Sequence, residues 1–288
     1  MGSIKLGTCS WKYPSWRGLV YSAAKGINYL EEYARKYETV EVDQWFWSLF
    51  DGSPVKLPRV EDAENYRRSV DENFRFTIKV PNSLTLTHYY RKHGSGPPRE
   101  NPFFLSPELW EEFIDSVDAL HDVVALYMLQ FEYLNRSKMK SQKQFEERLG
   151  RFFEAIPQRA RCAVEVRNAA YLDASFFDFL AAHRLSPVLI DGYWMPPVVD
   201  VYERFRDKIA AFDRIVLRLH GGDRKEIEER TKKKWNAIAL PLDDQLDAIA
   251  SMVADLAAHD VEVYVNVNNH YEGSAPLTIE RITELLAD

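Results

Sequence analysis

Only two cysteines, Cys9 and Cys162, occur in 288 residues. Two thiols cannot build a disulfide framework or a four-cysteine zinc site, and a reducing compartment is the simpler setting. Glycine and proline are sparse, 12 and 14 residues, which excludes a collagen-like or low-complexity chain. No apolar run approaches the length of about 18 residues that a membrane-spanning helix needs. The opening MGSIKLGTCS has no apolar signal segment, and Leu6 stands where a myristoylation signal carries Ser or Thr. Positive charge is in deficit. Against 44 Asp and Glu there are 37 Lys and Arg, and the net charge of −7 disfavours nucleic-acid binding by bulk charge. A cytoplasmic protein with no membrane partner is expected.

What is abundant is apolar and aromatic. Hydrophobic residues make up 46% of the chain, with 16 Phe, 15 Tyr and 7 Trp. Short β-branched runs occupy 4–9, 39–43, 74–80, 123–129, 162–167, 187–191, 214–220 and 261–267. Amphipathic stretches at 29–37, 107–120, 141–156, 174–183, 199–212, 241–259 and 276–286 separate them, with a weaker helical pattern at 60–71. Ser106-Pro107 and Ala275-Pro276 have the form of helix starts. Strands alternating with helices imply parallel βαβ units. Eight such units predict an α/β fold, a single-domain TIM-type (β/α)8 barrel over residues 1–288 with no linker. The stretch 81–105 is rich in Pro, Gly and basic residues, and a loop that long is functional or mobile.

Successive strand residues point to opposite faces. One parity is apolar: Val40 and Val42, Phe76 and Ile78, Val164 and Val166, Val188 and Ile190, Ile215 to Leu219 by twos, and Val263 to Val267 by twos. That face is expected to meet the helices. The other parity carries Glu41 and Asp43, Thr77 and Lys79, Glu165 and Arg167, Asp191, Arg218 and His220, then Asn266, Asn268 and His270. A buried parallel strand normally reads as continuously hydrophobic. Unpaired buried charge costs several kcal/mol, so these groups pair, meet water or meet a ligand. In a barrel they converge at the C-terminal mouth, where active sites sit. For any one residue a structural ion pair is an equal alternative. The set as a whole points to a ligand site.

The same strand ends carry a family resemblance. Gly7-Thr8-Cys9-Ser10-Trp11 with Trp16, Val40-Glu41-Val42, Phe76-Thr77-Ile78-Lys79 with Thr87-His88, Val164-Glu165-Val166-Arg167, Arg218-Leu219-His220-Gly221, and Asn268-Asn269-His270 with Gly273 and Ala275 follow in order. This resembles the domain of unknown function 72 family, the YecE-like proteins, from about residue 4 to the C-terminus. The resemblance implies a TIM-type barrel and supplies no reaction. Two places depart from the pattern. Asp43-Gln44-Trp45-Phe46-Trp47 replaces an Asn-Ser-Thr-Phe-Tyr-like stretch, and Gln130-Phe131-Glu132-Tyr133 lacks a proline pair.

Several chemistries fit these residues. Lys79, Glu165 and His220 are the proton-transfer candidates, Lys79 also as a Schiff-base amine or anion clamp. Trp11, Glu41, Asp43, His88, Arg167, Asp191, Arg218, Asn268 and Asn269 are the substrate-binding candidates. Glu41, Glu165, Asp191 and His220 can also ligate a divalent metal, although three nearby cations repel it and no His-x-x-x-His or Glu-x-x-His cluster occurs. No cofactor is required by the sequence. Arg218 to Gly222 and Asn268 to Ser274 occupy the loops where barrels often hold phosphate, with Gly221-Gly222 alone reading as a turn. Trp11, Tyr13, Trp16, Tyr21, Trp45, Phe46, Trp47 and Phe50 either stack on a ring-bearing ligand or plug the barrel end. Residues 87–93 offer a lid over an anion. The basic run 230–234 follows Glu226, Glu228 and Glu229 and reads as a solvated helix face, and Cys9 reads as a small buried thiol. The leading expectation is an enzyme, a hydrolase, lyase or isomerase, acting on a small polar, anionic or carbohydrate-like molecule by acid–base chemistry. The alternatives are a metal-dependent hydrolase or isomerase, including phosphodiester cleavage, and a non-catalytic module for a nucleotide or single-stranded nucleic acid.

Overall fold

The computed structural model describes residues 2–22, 25–50, 52–90 and 99–287. Eight strands form a closed barrel in sequence order. They are β1 (Ile4–Thr8), β2 (Thr39–Val42), β3 (Arg75–Lys79), β4 (Val124–Gln130), β5 (Cys162–Glu165), β6 (Ser186–Gly192), β7 (Arg214–Gly221) and β8 (Glu262–Val267). Every neighbouring pair is parallel, and β1 closes against β8 from Ile4 opposite Val263 to Thr8 opposite Val267. The predicted (β/α)8 barrel is therefore the fold observed.

Local chemistry starts the helices where the pattern places them. Ser106 caps Pro107–Ser116, Ser141 caps Gln142–Ala155 and Asp173 caps Ala174–Ala182, each side chain accepting a backbone N–H of the first turn. The amphipathic faces pack on the outward strand residues in one continuous core containing Val40, Phe76, Val164, Leu217 and Val265. A second, smaller cluster fills the barrel interior with Leu126, Met128, Val188, Val216 and Tyr264. Above that apolar floor the inward positions turn polar.

One strand breaks the predicted parity. Val188 belongs to the interior cluster and Leu189 to the helix-side core, the reverse of the sequence expectation. The register explains it, because Val188 lies opposite inward Val216 and Asp191 opposite outward Leu219. In the run Pro-Val-Leu-Ile-Asp three apolar residues are consecutive, so composition alone does not choose a face. Asp191 therefore leaves the barrel mouth. Its Oδ1 instead accepts the Val198 N–H at 3.1 Å, satisfying an orphan donor at the start of the helix Val198–Ile209.

The stretch 81–105 is more structured at its ends than a loop. Asn82–Thr85 forms a fully buried helical turn, and His88 bridges Glu100. The centre of that stretch, 91–98, lies outside the described residues. So do residues 91–93 of the lid segment expected at 87–93.

Gly7 marks the tightest approach between strands. A Cβ there would sit 2.1 Å from the Thr39 carbonyl oxygen, so β1 and β2 pair only without a side chain. Gly7→Ala should cost about 3 kcal/mol or more of unfolding free energy. Gly222→Ala, whose Cβ meets nothing within 4 Å, should stay within about 0.5 kcal/mol. Urea unfolding midpoints of the two variants check this.

Candidate functional site

Arg218 occupies the centre of the inward-facing layer. Its Nε and Nη2 each donate to the Glu41 carboxylate at 2.7 Å. Its Nη1 donates to Glu165 Oε2 at 2.6 Å and to Gln130 Oε1 at 3.0 Å. Four strands are thus tied across the barrel by one guanidinium. Arg218, Glu41 and Glu165 are all buried. Burial opposes the guanidinium's charge, but Glu165 and Glu41 outweigh it and hold Arg218 well above its ordinary value. Glu165 is likewise disfavoured by burial, yet Arg167 and Arg218 keep its carboxyl below the usual range. Arg167 Nε lies 2.6 Å from Glu165 Oε1, close but not aligned as a hydrogen bond. Asn266 completes the layer, donating to Thr77 Oγ1 at 2.9 Å and Glu41 Oε2 at 3.3 Å. Its own Oδ1 is buried and has no partner among the described residues.

Lys79 stands one layer higher and is different. No carboxylate oxygen lies within ion-pair reach of it among the described residues; its Nζ sits 3.9 Å from the centroid of the Phe46 ring. Burial, then Arg218, push the ammonium below its ordinary value against the pull of Glu41, Glu165 and Asp43. Asp43 moves the other way. Burial, then Glu41, raise its carboxyl to about 6.

His220 sits across from them, buried beneath the ring of Tyr193. Its Nδ1 is 3.0 Å from the Tyr193 hydroxyl and its Nε2 is 3.8 Å from Cys9 Sγ. Burial, Arg218 and Arg167 hold the imidazole neutral, well below its ordinary value. Cys9 donates to the Asn266 carbonyl at 3.3 Å, and burial and then Glu41 push its thiol up, so it is no ready nucleophile. The Arg167 guanidinium lies 4.6 Å from the centroid of the Tyr193 ring.

The structure brings together Lys79, Asp43, Glu41, Glu165, Arg167, Arg218 and His220 and disperses the rest. Trp11 is buried edge-on against Tyr66, with ring centroids 5.1 Å apart, in a separate crevice. His88 bonds to Thr87 Oγ1 at 2.9 Å, which donates to Glu132 beside Lys138, a side cluster on the loops after β3 and β4. Asn268 accepts the His270 N–H at 3.0 Å and Asn269 accepts the Ala275 N–H at 3.0 Å, so both shape the last loop. Sequence reasoning missed Gln130 and Tyr193 as parts of the site, and it named Phe46 only as one of eight mouth-loop aromatics, not as the ring beneath Lys79. Gln130 was legible, because Leu126, Met128 and Gln130 form one inward series that ends in a polar residue. Phe46 and Tyr193 reach the site from loops, where no periodicity predicts direction.

The loops after β7 and β8 do not cradle an anion. Their neighbouring cavity is lined by Asp191, Asp200, Asp223, Glu226 and Asp244 and, among the described residues, by no Lys or Arg. Gly221 serves close packing instead, since a Cβ there would lie 2.6 Å from the His270 carbonyl oxygen. Arg224 turns outward to Glu228 at 2.7 Å. Nor does the donor set suit a resident divalent cation. Glu41 and Glu165 are engaged by Arg218, Asp191 faces the helices, and no group of three candidate ligands converges among the described residues. The basic run 230–234 is answered by acids, Arg230 by Glu226 and Lys233 by Glu228.

With this geometry in place, comparison with known proteins is decisive for the family. A family model described as a protein of unknown function, DUF72, matches residues 5–288. The chain belongs to the DUF72 family. The curated UPF0759 protein YecE of Escherichia coli strain K12 is 26% identical over 135 residues, 40% of this chain and 44% of that protein. The aligned region thus spans less than half the length of the curated relatives it matches. A DUF72 protein from Thermotoga maritima superposes with a TM-score of 0.66 at 20% identity, covering 99% of each chain. One from Enterococcus faecalis gives 0.68 at 18% identity, covering 99% of this chain and 96% of that one. These structures share the fold. No helix among the described residues of this DUF72 barrel is long and apolar enough to cross a membrane.

Two measurements probe the inner layer. Arg218→Met strands two buried carboxylates and should lose about 3–5 kcal/mol at pH 8, with a smaller loss at pH 5 where they take up protons. Urea midpoints at both pH values check it. Asp43 has a folded-state value, about 6, above its ordinary 3.8. Its carboxyl therefore favours folding fully below about pH 4, and that contribution is lost as pH rises through 6. Asp43→Asn should gain on the order of 2 kcal/mol over the parent at pH 7 and almost nothing at pH 4.

Proposed function

We propose that this DUF72 barrel is an enzyme acting on a small anionic, ring-bearing molecule by acid–base chemistry at its C-terminal mouth. Lys79 carries the proposal. It is the one cation of the inner layers that no carboxylate neutralises among the described residues, and it stands half-buried where the strand ends converge. A substrate anion supplies the missing counter-charge and restores the ammonium's proton affinity. Arg167, half-committed to Glu165, gives a second cationic contact. Asp43, poised at about 6, exchanges protons near neutral pH, which is the condition for efficient general acid–base work. Neutral His220, oriented by Tyr193, is a second proton carrier. Glu165 and Glu41 act as positioning residues that hold Arg218 and the field of the site.

The mouth's rim favours a ring. Trp47, Phe50, Tyr90, Tyr133, Tyr193 and Trp194 are the exposed aromatic residues of the described structure, and all sit on strand-end loops. Trp194 is 94% exposed. Such faces stack on sugars and bases. They also support a second reading, a module that binds such a ligand without converting it.

Glucose 6-phosphate, ribose 5-phosphate and inorganic phosphate are the first probes, followed by calorimetry and product analysis. Binding should weaken at least tenfold in Lys79→Met, whose melting temperature should equal or exceed the parent's because a half-buried charge without a carboxylate partner is gone. Turnover should fall about 100-fold or more in Lys79→Met. Unchanged binding and turnover in that variant overturn the proposal. Binding without any product, lost in Trp194→Ala, favours the non-catalytic module.

A further inference from the structure

A cavity of about 630 Å3 lies outside the barrel mouth, between the loop after β1 and the helix Val60–Arg68. In a chain with excess acid, no Asp or Glu among the described residues lines it. Its cations are Lys12 and Arg68, and its walls are the rings of Trp11, Tyr29 and Tyr66. Tyr66 is a rigid wall. Trp45 stacks behind it at 5.3 Å with planes 19° apart, and Gln44 Nε2 donates to its hydroxyl at 2.5 Å. Trp11 meets it edge-on, so two ring surfaces stand at 85° to one another. Arg68 is anchored by Asn65 Oδ1 at 2.7 Å, with Glu64 Oε2 3.6 Å away.

Polar capacity is left over. The Lys12 ammonium, the Ser10 hydroxyl, the Gln44 carbonyl oxygen and the Asn65 amide nitrogen have no partner among the described residues. Ser10 holds φ at 144°, a conformation non-glycine residues rarely adopt and one that clusters at functional sites. The volume falls in the range of small-ligand sites, apolar walls with a few placed polar groups.

We infer that this crevice is a second binding site, distinct from the mouth, for a planar ring carrying an anionic group. The ring stacks on Tyr66 against the edge of Trp11, and Gln44 and Asn65 hydrogen-bond its edge. The anion pairs with Lys12 and Arg68. Trp11 thereby binds ligand, but in this crevice and not among the strand-end charges.

Two sources of that chemistry serve as probes, adenosine 5′-monophosphate and indole-3-acetate, with neutral adenosine and indole-3-ethanol as their partners. Calorimetry at low salt should show saturable 1:1 binding of at least one anion, with its neutral partner at least tenfold weaker. The double variant Lys12→Ala, Arg68→Ala should lose at least tenfold in affinity for the anion. Both side chains are exposed, and its melting temperature should stay with the parent's. Lys79→Met should bind as the parent does, which separates this crevice from the mouth. No saturable binding of either anion, equal binding of the neutral partners, an unaffected double variant, or loss in Lys79→Met would each overturn the inference.

Discussion

One buried guanidinium organises this barrel. Arg218 reaches across from β7 to bind Glu41 on β2 and Glu165 on β5, and every other polar group of the inner layer is arranged around that triad. Two carboxylates and one cation leave the buried triad short of positive charge. Arg167 makes up part of the deficit at Glu165, and the field that remains acts on Lys79, Asp43, His220 and Cys9. Buried ion pairs of this kind contribute little net stability but are costly to break. Their value here is directional: they fix where the rest of the mouth's charge is felt.

That constraint separates groups that are spent from groups that are available. Glu41 and Glu165 give their oxygens to arginines, so neither is a free base. Lys79 rests on an aromatic face in place of a carboxylate, and the nearby Asp43 carboxyl is raised toward neutral pH. A cation eased downward and a carboxyl eased upward within one mouth form the pattern expected of proton exchange. The overall charge of −7 says nothing of this, because screening and distance confine most surface acids to their own neighbourhood.

Much of the architecture was legible because it is periodic. Eight apolar runs between amphipathic stretches give eight strands and their order, and Ser106-Pro107 and Ala275-Pro276 mark helix starts that the structure keeps. Inward parity exposed Glu41, Lys79, Glu165 and Arg218 as one set. It failed at Asp191, where Val188, Leu189 and Ile190 are all apolar and only the pairing with β7 selects the inner face. It also missed Tyr193 and the seat of Lys79 on Phe46, since loop residues have no period. The anion cradle expected after β7 and β8 failed for a related reason. Gly221 serves backbone approach, and carboxylates from three separate helices converge beside it.

The sequence by itself determined the barrel, the strand order, the family and the identity of the charged strand ends, because alternation and motif order are one-dimensional properties. Tertiary structure alone decided which charge meets which. Arg218 and Glu41 are 177 residues apart in the chain and 2.7 Å apart in the fold. Only closure of the barrel desolvates them together and sets Lys79 above them as the inner-layer cation with no carboxylate in reach among the described residues.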